Sequence, residues 1–293
     1  MSTVLSKFLE WYEIDGVEFA NHGYSISSIS KGHAEHRGSN VETPSVHGVQ
    51  WREKRLAARA ETWNIWITDN EPTSGSVAAT AELRRQQFNS NYDTVMRVLT
   101  KLPSLMTVKH YRRSSGTTEV RVGYAEIVSA FNIDDHKDLN VAQFSVEAVF
   151  PDPRWYDESN LSPSLTATIS SGTSASVACS QTQVGTAPVT YMTVTFTATS
   201  GYTLVNPRLT NSTYTSSTSV IGYTGSIAST TSVVIDTDAL TCKTGTGTNV
   251  ISGLYRYGAR QDWMELFPTT NSLTFTCTSG RGTVTIAYKR AYI

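Results

Sequence analysis

Apolar residues alternate with hydroxyl-bearing residues through the second half of the chain. Within residues 191–199, Met192, Val194, Phe196 and Ala198 share one parity and threonines occupy the other. A period of two is typical of a β-strand with one buried face, and threonine favours a pleated surface. Similar runs lie at residues 165–169, 203–209, 232–235, 272–277 and 283–288. Short strands with no helical segment between them predict an antiparallel β-sandwich.

The first half of the chain has a mixed pattern that predicts one helix among antiparallel strands. Residues 77–102 carry an apolar stripe at helical spacing, and Pro103 stops the helix. Arg84, Arg85 and Arg97 are expected to face water. The stripe consists of Phe88, Tyr92, Val95, Met96, Leu99 and Leu102. A strand–turn–strand start is expected at residues 13–17, and strands are expected at residues 24–29, 55–68, 105–111, 120–131 and 141–150. The pattern is that of an α+β unit.

A proline-containing segment, residues 150–160, separates the two patterns. Pro151 and Pro153 remove backbone donors and end the preceding strand. Beyond it, Ser and Thr make up 38 of the 90 residues from 161 to 250. Residues 1–158 contain 17 Lys and Arg against 21 Asp and Glu, a net charge of −4, whereas residues 159–293 contain 7 against 4, a net charge of +3. We therefore expect two domains, 1–158 and 159–293, each long enough to bury its own core.

Charge and hydropathy exclude several classes of protein. A formal net charge of −1 provides no global attraction to nucleic acid, so no sequence-specific nucleic-acid contact is expected. No apolar run is long enough to cross a bilayer, and the first eleven residues lack the pattern of a signal peptide. The sequence thus predicts a protein without membrane insertion that stays in the cytoplasm where it is made. Its three cysteines, Cys179, Cys242 and Cys277, are odd in number and widely spaced, as expected for buried thiols.

The charged residues of the sequence form no recognisable catalytic or metal-binding set. His33 and His36, with His47 nearby, lie in a glycine-flanked polar stretch that favours a solvated or interface loop over a metal site. Residues 134–138 lack the calcium-loop pattern and predict a polar turn. The basic cluster at residues 52–55 with Arg59 predicts a solvated strand face or part of an interface between subunits. The carboxylates of the second half are Asp236, Asp238, Asp262 and Glu265. Because they form no glycosidase pair, we expect no catalytic residues, no cofactor and no enzyme.

One candidate binding site precedes the last strands. Tyr255, Tyr257 and Trp263 lie close together in the sequence, with Arg256, Arg260 and Asp262 among them. Aromatic rings flanked by polar groups can hold sugar rings by stacking and hydrogen bonding. The alternative is that these aromatic side chains fill the sandwich core or pack between the domains, which is the more common role of large rings.

The order of these elements resembles that of the siphophage distal tail proteins, including minor tail proteins of phages that infect actinobacteria. The resemblance extends over nearly the whole chain and rests on several short motifs. These are Ile-Asp-Gly at 14–16, the arginine-containing segment 81–88, residues 146–153 followed by Trp155-Tyr156, Val-Val-Ile-Asp-Thr at 233–237, residues 263–268 with Asn271, and residues 284–288 and 291–293. The family's usual glycine between the proline and the asparagine is replaced here by Thr269 and Thr270.

The resemblance implies a virion protein of the phage tail tip, assembled in the cytoplasm of the bacterial host. Its first domain would close into a ring of six copies that joins the tail tube to the tip or baseplate complex. The ring would leave a channel for the tape-measure protein and DNA. The expected partners are further copies of the chain, the tail tube protein, the tail-associated tip protein and the tape-measure protein. The second domain would be a galectin-like or carbohydrate-module-like β-sandwich.

Two other functions are compatible with parts of the sequence. A carbohydrate-binding adhesion module that contacts a host cell-wall glycan would need only the second half of the chain. The helix-bearing first half has no role in such a module, and the absence of a secretion signal also counts against it. A wall-degrading hydrolase is disfavoured because the catalytic carboxylates are missing.

Overall fold

The computed structural model describes two compact units, Met1–Trp155 and Tyr156–Ile293. The sequence placed the boundary a few residues later, after residue 158. The residues described are 10–32, 35–37, 41–42, 49–50, 55–101, 105–114, 117–128, 134–136, 139–161, 164–179, 184–214, 218–258 and 263–293. His33, His47, Arg52, Pro103, Arg260 and Asp262 lie outside these residues, so the expectations that involve them are not addressed by the structure.

The first unit contains antiparallel strands and one helix in the described residues, as the sequence predicted. The helix α1 (Ala81–Leu99) lies between β8 and β9 in the chain. The strands are β1 (Glu10–Ile14), β2 (Val17–Glu18), β3 (Tyr24–Lys31), β4 (His36–Arg37), β5 (Val41–Glu42), β6 (Val49–Gln50), β7 (Arg55–Leu56), β8 (Arg59–Ile67), β9 (Met106–Ser114), β10 (Thr117–Ile127), β11 (Asp134–His136) and β12 (Val141–Phe150). The strand β13 (Trp155–Asp157) contains the boundary between the units.

The main sheet of the first unit follows the order β2-β1-β9-β10-β12-β8-β3, and β11 also pairs with β12. The long strand β10 connects the two parts of this sheet. Its residues 117–125 pair with β9, and Glu126 and Ile127 pair with β12. Strict alternation in β8 and β12 buries one face of each strand, including Trp63 and Phe144. That face forms the core of the unit.

Helix α1 is shorter than the sequence indicated, because Thr80 caps its N-terminus and the helix begins at Ala81. The Thr80 backbone is extended, and its hydroxyl accepts the Leu83 N–H at 3.2 Å, a typical N-cap. The buried face includes the polar residue Asn91, whose side chain donates to the carbonyls of Thr68 and Asn70 at 2.8 and 2.9 Å. Arg84 keeps 42% of its side chain exposed, as expected, but it also forms an ion pair. Its Nε lies 2.6 Å from the carboxylate of the buried Asp69.

The second unit consists of short strands and a 3-10 turn at Ile251–Gly253 in the part of the chain described. The strands are β14 (Leu165–Ile169), β15 (Ser174–Cys179), β16 (Met192–Ala198), β17 (Leu204–Val205), β18 (Arg208–Asn211), β19 (Ser219–Tyr223), β20 (Ser226–Ile227), β21 (Ser232–Asp236), β22 (Thr241–Thr244), β23 (Leu254–Gly258), β24 (Asn271–Thr276), β25 (Gly282–Tyr288) and β26 (Ala291–Tyr292).

Two five-stranded antiparallel sheets share one core in this unit. Their orders are β14-β25-β16-β21-β22 and β15-β24-β18-β19-β23. Apolar residues of both sheets join a single buried cluster, in which the rings of Phe196 and Phe275 lie 5.8 Å apart. The predicted antiparallel sandwich is confirmed. The single strand expected at residues 203–209 is instead divided into β17 and β18, because Asn206 has a φ of +48° and Pro207 follows it.

Candidate functional site

The outer face of the sheet β15-β24-β18-β19-β23 carries two of the three aromatic residues singled out from the sequence. Tyr255 and Tyr257 lie on this face of the edge strand β23, since the residue paired with the intervening Arg256 is the fully buried Ile221. We call this surface the tyrosine face. Cross-strand pairing places twelve residues on it: Tyr255, Tyr257, Val220, Gly222, Arg208, Thr210, Thr274, Thr276, Ser174, Ser176, Ala178 and Ser272.

Arg208 forms a fixed platform against Tyr255. Its guanidinium lies 3.9 Å from the centre of the Tyr255 ring, a cation–π distance. The same group donates to the carbonyls of Pro207 and Tyr223 and, at 2.9 Å, to the hydroxyl of Thr224. Burial lowers the pKa of Arg208 from its usual value. These contacts hold both the arginine and the tyrosine ring in one orientation.

Gly222 lies between Arg208 and Tyr255 in the cross-strand row. A Cβ atom at this position would lie 2.3 Å from the Pro207 carbonyl oxygen and 2.7 Å from Cδ of Arg208. The absence of a side chain at Gly222 is therefore what allows Arg208 to cross the strand and reach the tyrosine.

The third aromatic residue, Trp263, lies apart from the tyrosine face. The guanidinium of Arg256 lies 4.6 Å from the Trp263 ring, and Trp263 is half-buried against the sandwich core. Arg256 points to the opposite side of β23 from the two tyrosines, because neighbouring residues in a strand alternate. The structure thus places Arg208, which the sequence did not single out, against Tyr255, with Tyr257 on the same face, and it packs Trp263 against the sandwich core.

The two tyrosines differ in how they present their rings. Tyr255 is 36% exposed beneath Arg208, whereas Tyr257 is 66% exposed. Tyr257 therefore offers an open aromatic surface next to a ring that is already held in place.

A second polar cluster lies inside the core of the first unit. Arg59 and Glu61 are 6% and 1% exposed, and 3.5 Å separates Nη2 of Arg59 from Oε1 of Glu61. The Arg59 guanidinium also lies 4.5 Å from the ring centre of Phe150 and 4.8 Å from that of Trp155. The expectation that Arg59 belongs to a solvated strand face is wrong. It has the same parity in β8 as the buried Trp63, so it points into the core.

The surroundings of the Arg59–Glu61 pair shift the pKa values of two neighbouring side chains. Burial raises the pKa of Tyr12 well above its usual value, and burial lowers the pKa of His110 to about 4. The two rings are stacked with their centres 4.6 Å apart. Among the residues that the structure describes, several buried atoms have no hydrogen-bond partner, including the Tyr12 hydroxyl, Nε and Nη2 of Arg59 and Oε1 of Glu61. The cluster is an electrostatic element of the core.

The described residues contain no group of three or more His, Cys, Asp or Glu side chains that could hold a metal ion. The three cysteines are free and buried, which confirms the expectation from their spacing, and burial raises the pKa of each thiol. In the same residues, no helix combines the length and apolar character needed to span a membrane.

Comparisons with known proteins identify the fold. No protein-family model matches the sequence, and no curated protein matches it. The chain has the fold of a phage tail hub protein. It is similar to the crystal structure of the Dit (gp 19.1) protein of SPP1, described as a paradigm of the hub adsorption apparatus in phages that infect Gram-positive bacteria. The TM-score is 0.61 at 14% identity, covering 96% of this chain and 99% of that chain.

Two structures of the phage P2 baseplate in its activated conformation also match. The structure with Ca gives a TM-score of 0.46 at 8% identity, and the structure with Sr gives 0.45 at 7% identity. Both cover 97% of this chain and 98% of the matched chain.

Proposed function

We propose that this chain is a structural component of the tail tip of a long-tailed bacteriophage. The observation that carries the proposal is the extent of the likeness to SPP1 Dit, which covers 96% of this chain and 99% of the other. Both units are therefore included, and not only a sandwich of a kind found in many unrelated proteins. A shared fold alone does not assign a function, so the tail-tip role needs a direct test.

The finer proposal is a ring of six copies that joins the tail tube to the tip or baseplate complex. A ring of identical copies uses one heterologous interface that closes on itself. The strand β3 ends the main sheet of the first unit, and its ladder pairs with β8. On its other edge Ser25 and Ile26 already pair with Ala20 and Phe19, and within the described residues no strand pairs with the rest of that edge, residues 27–31. An open sheet edge suits such an interface, since it can pair with a neighbouring copy.

In this assembly the ring surrounds a channel for the tape-measure protein and DNA. The tail tube protein, the tail-associated tip protein and the tape-measure protein are the proposed partners. The assembly forms in the host cytoplasm and remains in the virion. The second unit is proposed to be a sandwich of the galectin-like or carbohydrate-module type.

The proposal assigns no catalytic reaction to the chain. The carboxylate of Asp236 already accepts the backbone N–H groups of Asp238 and Ala239 at 2.9 and 3.0 Å. This contact closes the turn that follows β21, so the side chain has a structural role.

Two measurements test the proposal. Light scattering on the purified full chain should show one closed oligomer, and six chains of 32.1 kDa give about 193 kDa. Cryo-electron microscopy of phage particles that carry the chain should show its ring where the tail tube ends. A chain that is monomeric in solution and absent from the tail tip would contradict the proposal. A monomer that forms a ring only in the particle would mean that its neighbours are needed for closure.

A further inference from the structure

The tyrosine face combines two aromatic rings with hydroxyl groups that are available to a ligand. Besides Tyr255 and Tyr257, it contains three threonines and three serines. These are Thr210, Thr274, Thr276, Ser174, Ser176 and Ser272. The Ser272 hydroxyl accepts a hydrogen bond from Ser212 at 3.4 Å, whereas among the described residues no hydrogen bond uses the other five hydroxyls. Each can both donate and accept, so the face suits a ligand that itself has many hydroxyl groups.

The outer face of the other sheet provides an internal comparison. It is also rich in threonine, and two of its hydroxyls, those of Thr168 and Thr283, bond to each other at 2.9 Å. Pairing places no aromatic residue on that face within its described strands. Hydroxyl groups are thus a general property of this sandwich, whereas the pair of tyrosines distinguishes one face.

Charge on the tyrosine face indicates a neutral ligand. Arg208 is the single charged residue among its twelve positions, and its guanidinium already donates to Pro207, Tyr223 and Thr224. Recognition of a phosphate or carboxylate would need free arginine donors in a fork. The arginine here supports Tyr255 instead.

The distance between strands on the tyrosine face sets the minimum length of the ligand. Adjacent strands lie about 4.8 Å apart, so the distance from β23 to β18 is about 10 Å. Tyr257, Val220, Thr210 and Thr274 form one cross-strand row. A ligand that stacks on Tyr257 and reaches the hydroxyl of Thr210 must be longer than a single sugar ring.

We propose that the tyrosine face binds a neutral oligosaccharide of at least two sugar units. One sugar ring stacks its C–H face on Tyr257, and the next forms hydrogen bonds with the hydroxyls of Thr210 and Thr274. Tyr255, held by Arg208, supports the first ring from the side. A protein partner fits less well, because interface cores are built around large apolar anchors, and the aliphatic side chains placed on this face are Val220 and the small Ala178.

The test uses the purified full chain and neutral oligosaccharides of defined structure: maltotriose, lactose, cellotriose and chitotriose. Binding is measured by saturation-transfer NMR and titration calorimetry. We expect a dissociation constant of about 1 mM for at least one sugar, because few groups contribute to the contact. Tyr257→Ala should weaken binding about tenfold, since it removes the stacking surface.

The matched control is Tyr202→Ala. Tyr202 is 39% exposed and carries the Arg281 guanidinium 4.3 Å from its ring centre, but it lies in the loop between β16 and β17. This variant should bind like the unmodified chain. A second pair avoids aromatic substitution: Thr274→Val removes a hydroxyl from the tyrosine face, and Thr195→Val removes one from the other sheet. Only the first should weaken binding.

The inference is independent of the tail-tip role, because binding is measured on the isolated chain. Absence of binding by the unmodified chain at about 10 mM of every sugar would overturn it. Equal binding by Tyr257→Ala would also overturn it. If Tyr257→Ala instead reduced incorporation of the chain into phage tails, with no sugar bound, the tyrosine face would be a protein interface. A chain that is monomeric and binds sugar would contradict the proposed ring but not the proposed sugar site.

Discussion

Arg59 and Glu61 lie two residues apart on β8 and face each other inside the core of the first unit. Their nearest charged atoms are 3.5 Å apart, and the Trp63 indole N–H donates to the other oxygen of Glu61 at 3.0 Å. Both charges are almost fully removed from water. Such a pair is worth little as a net source of stability, because desolvation offsets the attraction, but leaving one partner alone is costly.

We expect Glu61→Ala to destabilise the first unit by about 3–5 kcal/mol, because Arg59 would remain as an uncompensated buried charge. The double variant Arg59→Met/Glu61→Leu should recover most of that loss. Urea unfolding followed by tryptophan fluorescence reports on this region through Trp63. Equal stability of Glu61→Ala and the unmodified chain would show that the pair is not isolated from solvent.

His110 should make the first unit sensitive to mild acid. Burial lowers its pKa from 6.5 to about 4, so the folded protein holds this ring neutral where the unfolded chain protonates it. The stabilisation is fully present above about pH 6.5 and is lost as the pH falls towards 4, where the loss is on the order of 3 kcal/mol.

The free energy of unfolding, measured at several pH values from 7 to 4, tests this. His110→Gln should show a smaller decrease over the same range, because its side chain does not titrate. Parallel pH profiles for the two proteins would exclude His110 as the source.

Asn271 should be essential to the turn that precedes β24. Its Nδ2 donates to the carbonyls of Phe267 and Thr269 at 2.8 and 2.7 Å, while its Oδ1 accepts the Phe267 N–H and a bond from Asn211. The residue is 4% exposed, so each lost partner leaves a buried polar group unsatisfied.

Asn271→Ala is expected to destabilise the second unit by about 2–4 kcal/mol. Asn271→Asp keeps the acceptor but loses both donated bonds, so it should also destabilise the unit. Thermal unfolding provides the measurement, with Ser272→Ala at the exposed neighbouring position as the control. Unchanged melting of Asn271→Asp would mean that the donated bonds contribute nothing.

Gly222→Ala should separate Arg208 from Tyr255. The new methyl group would lie 2.3 Å from a backbone oxygen that cannot move freely, so a loss of about 1–3 kcal/mol is expected. Val220→Ala, on the same face of the same strand, creates no such clash. A crystal structure of Gly222→Ala with the arginine still stacked on the tyrosine would contradict this explanation.

Strand alternation predicted much of the fold. It indicated β14, β16, β21, β24 and β25 because each has apolar residues on one parity. The strands β15, β19, β22 and β23 were missed for a physical reason. In β15, for example, Ala175, Val177 and Cys179 do alternate with exposed residues, but the inward side chains are small and the exposed Ala178 is apolar too, so the contrast between the two faces is weak.

The candidate sites were harder to predict from the sequence than the strands. Arg208 and Tyr255 come together through pairing of β18, β19 and β23, and no local pattern reveals which strands become neighbours. Two details could have been found from parity alone. Tyr255 and Tyr257 share a face that excludes Arg256, and Arg59 shares its face with Trp63. The charge of Arg59 suggested an exposed side chain, but strand alternation places this side chain in the core.

Cys179, Cys242 and Cys277 are all buried, and none is joined to another. Their raised pKa values keep the thiols protonated and unreactive at neutral pH. The three cysteines of the sandwich therefore contribute no disulfide bond to its stability. We therefore expect a change from reducing to oxidising surroundings to leave the covalent connectivity of the sandwich the same.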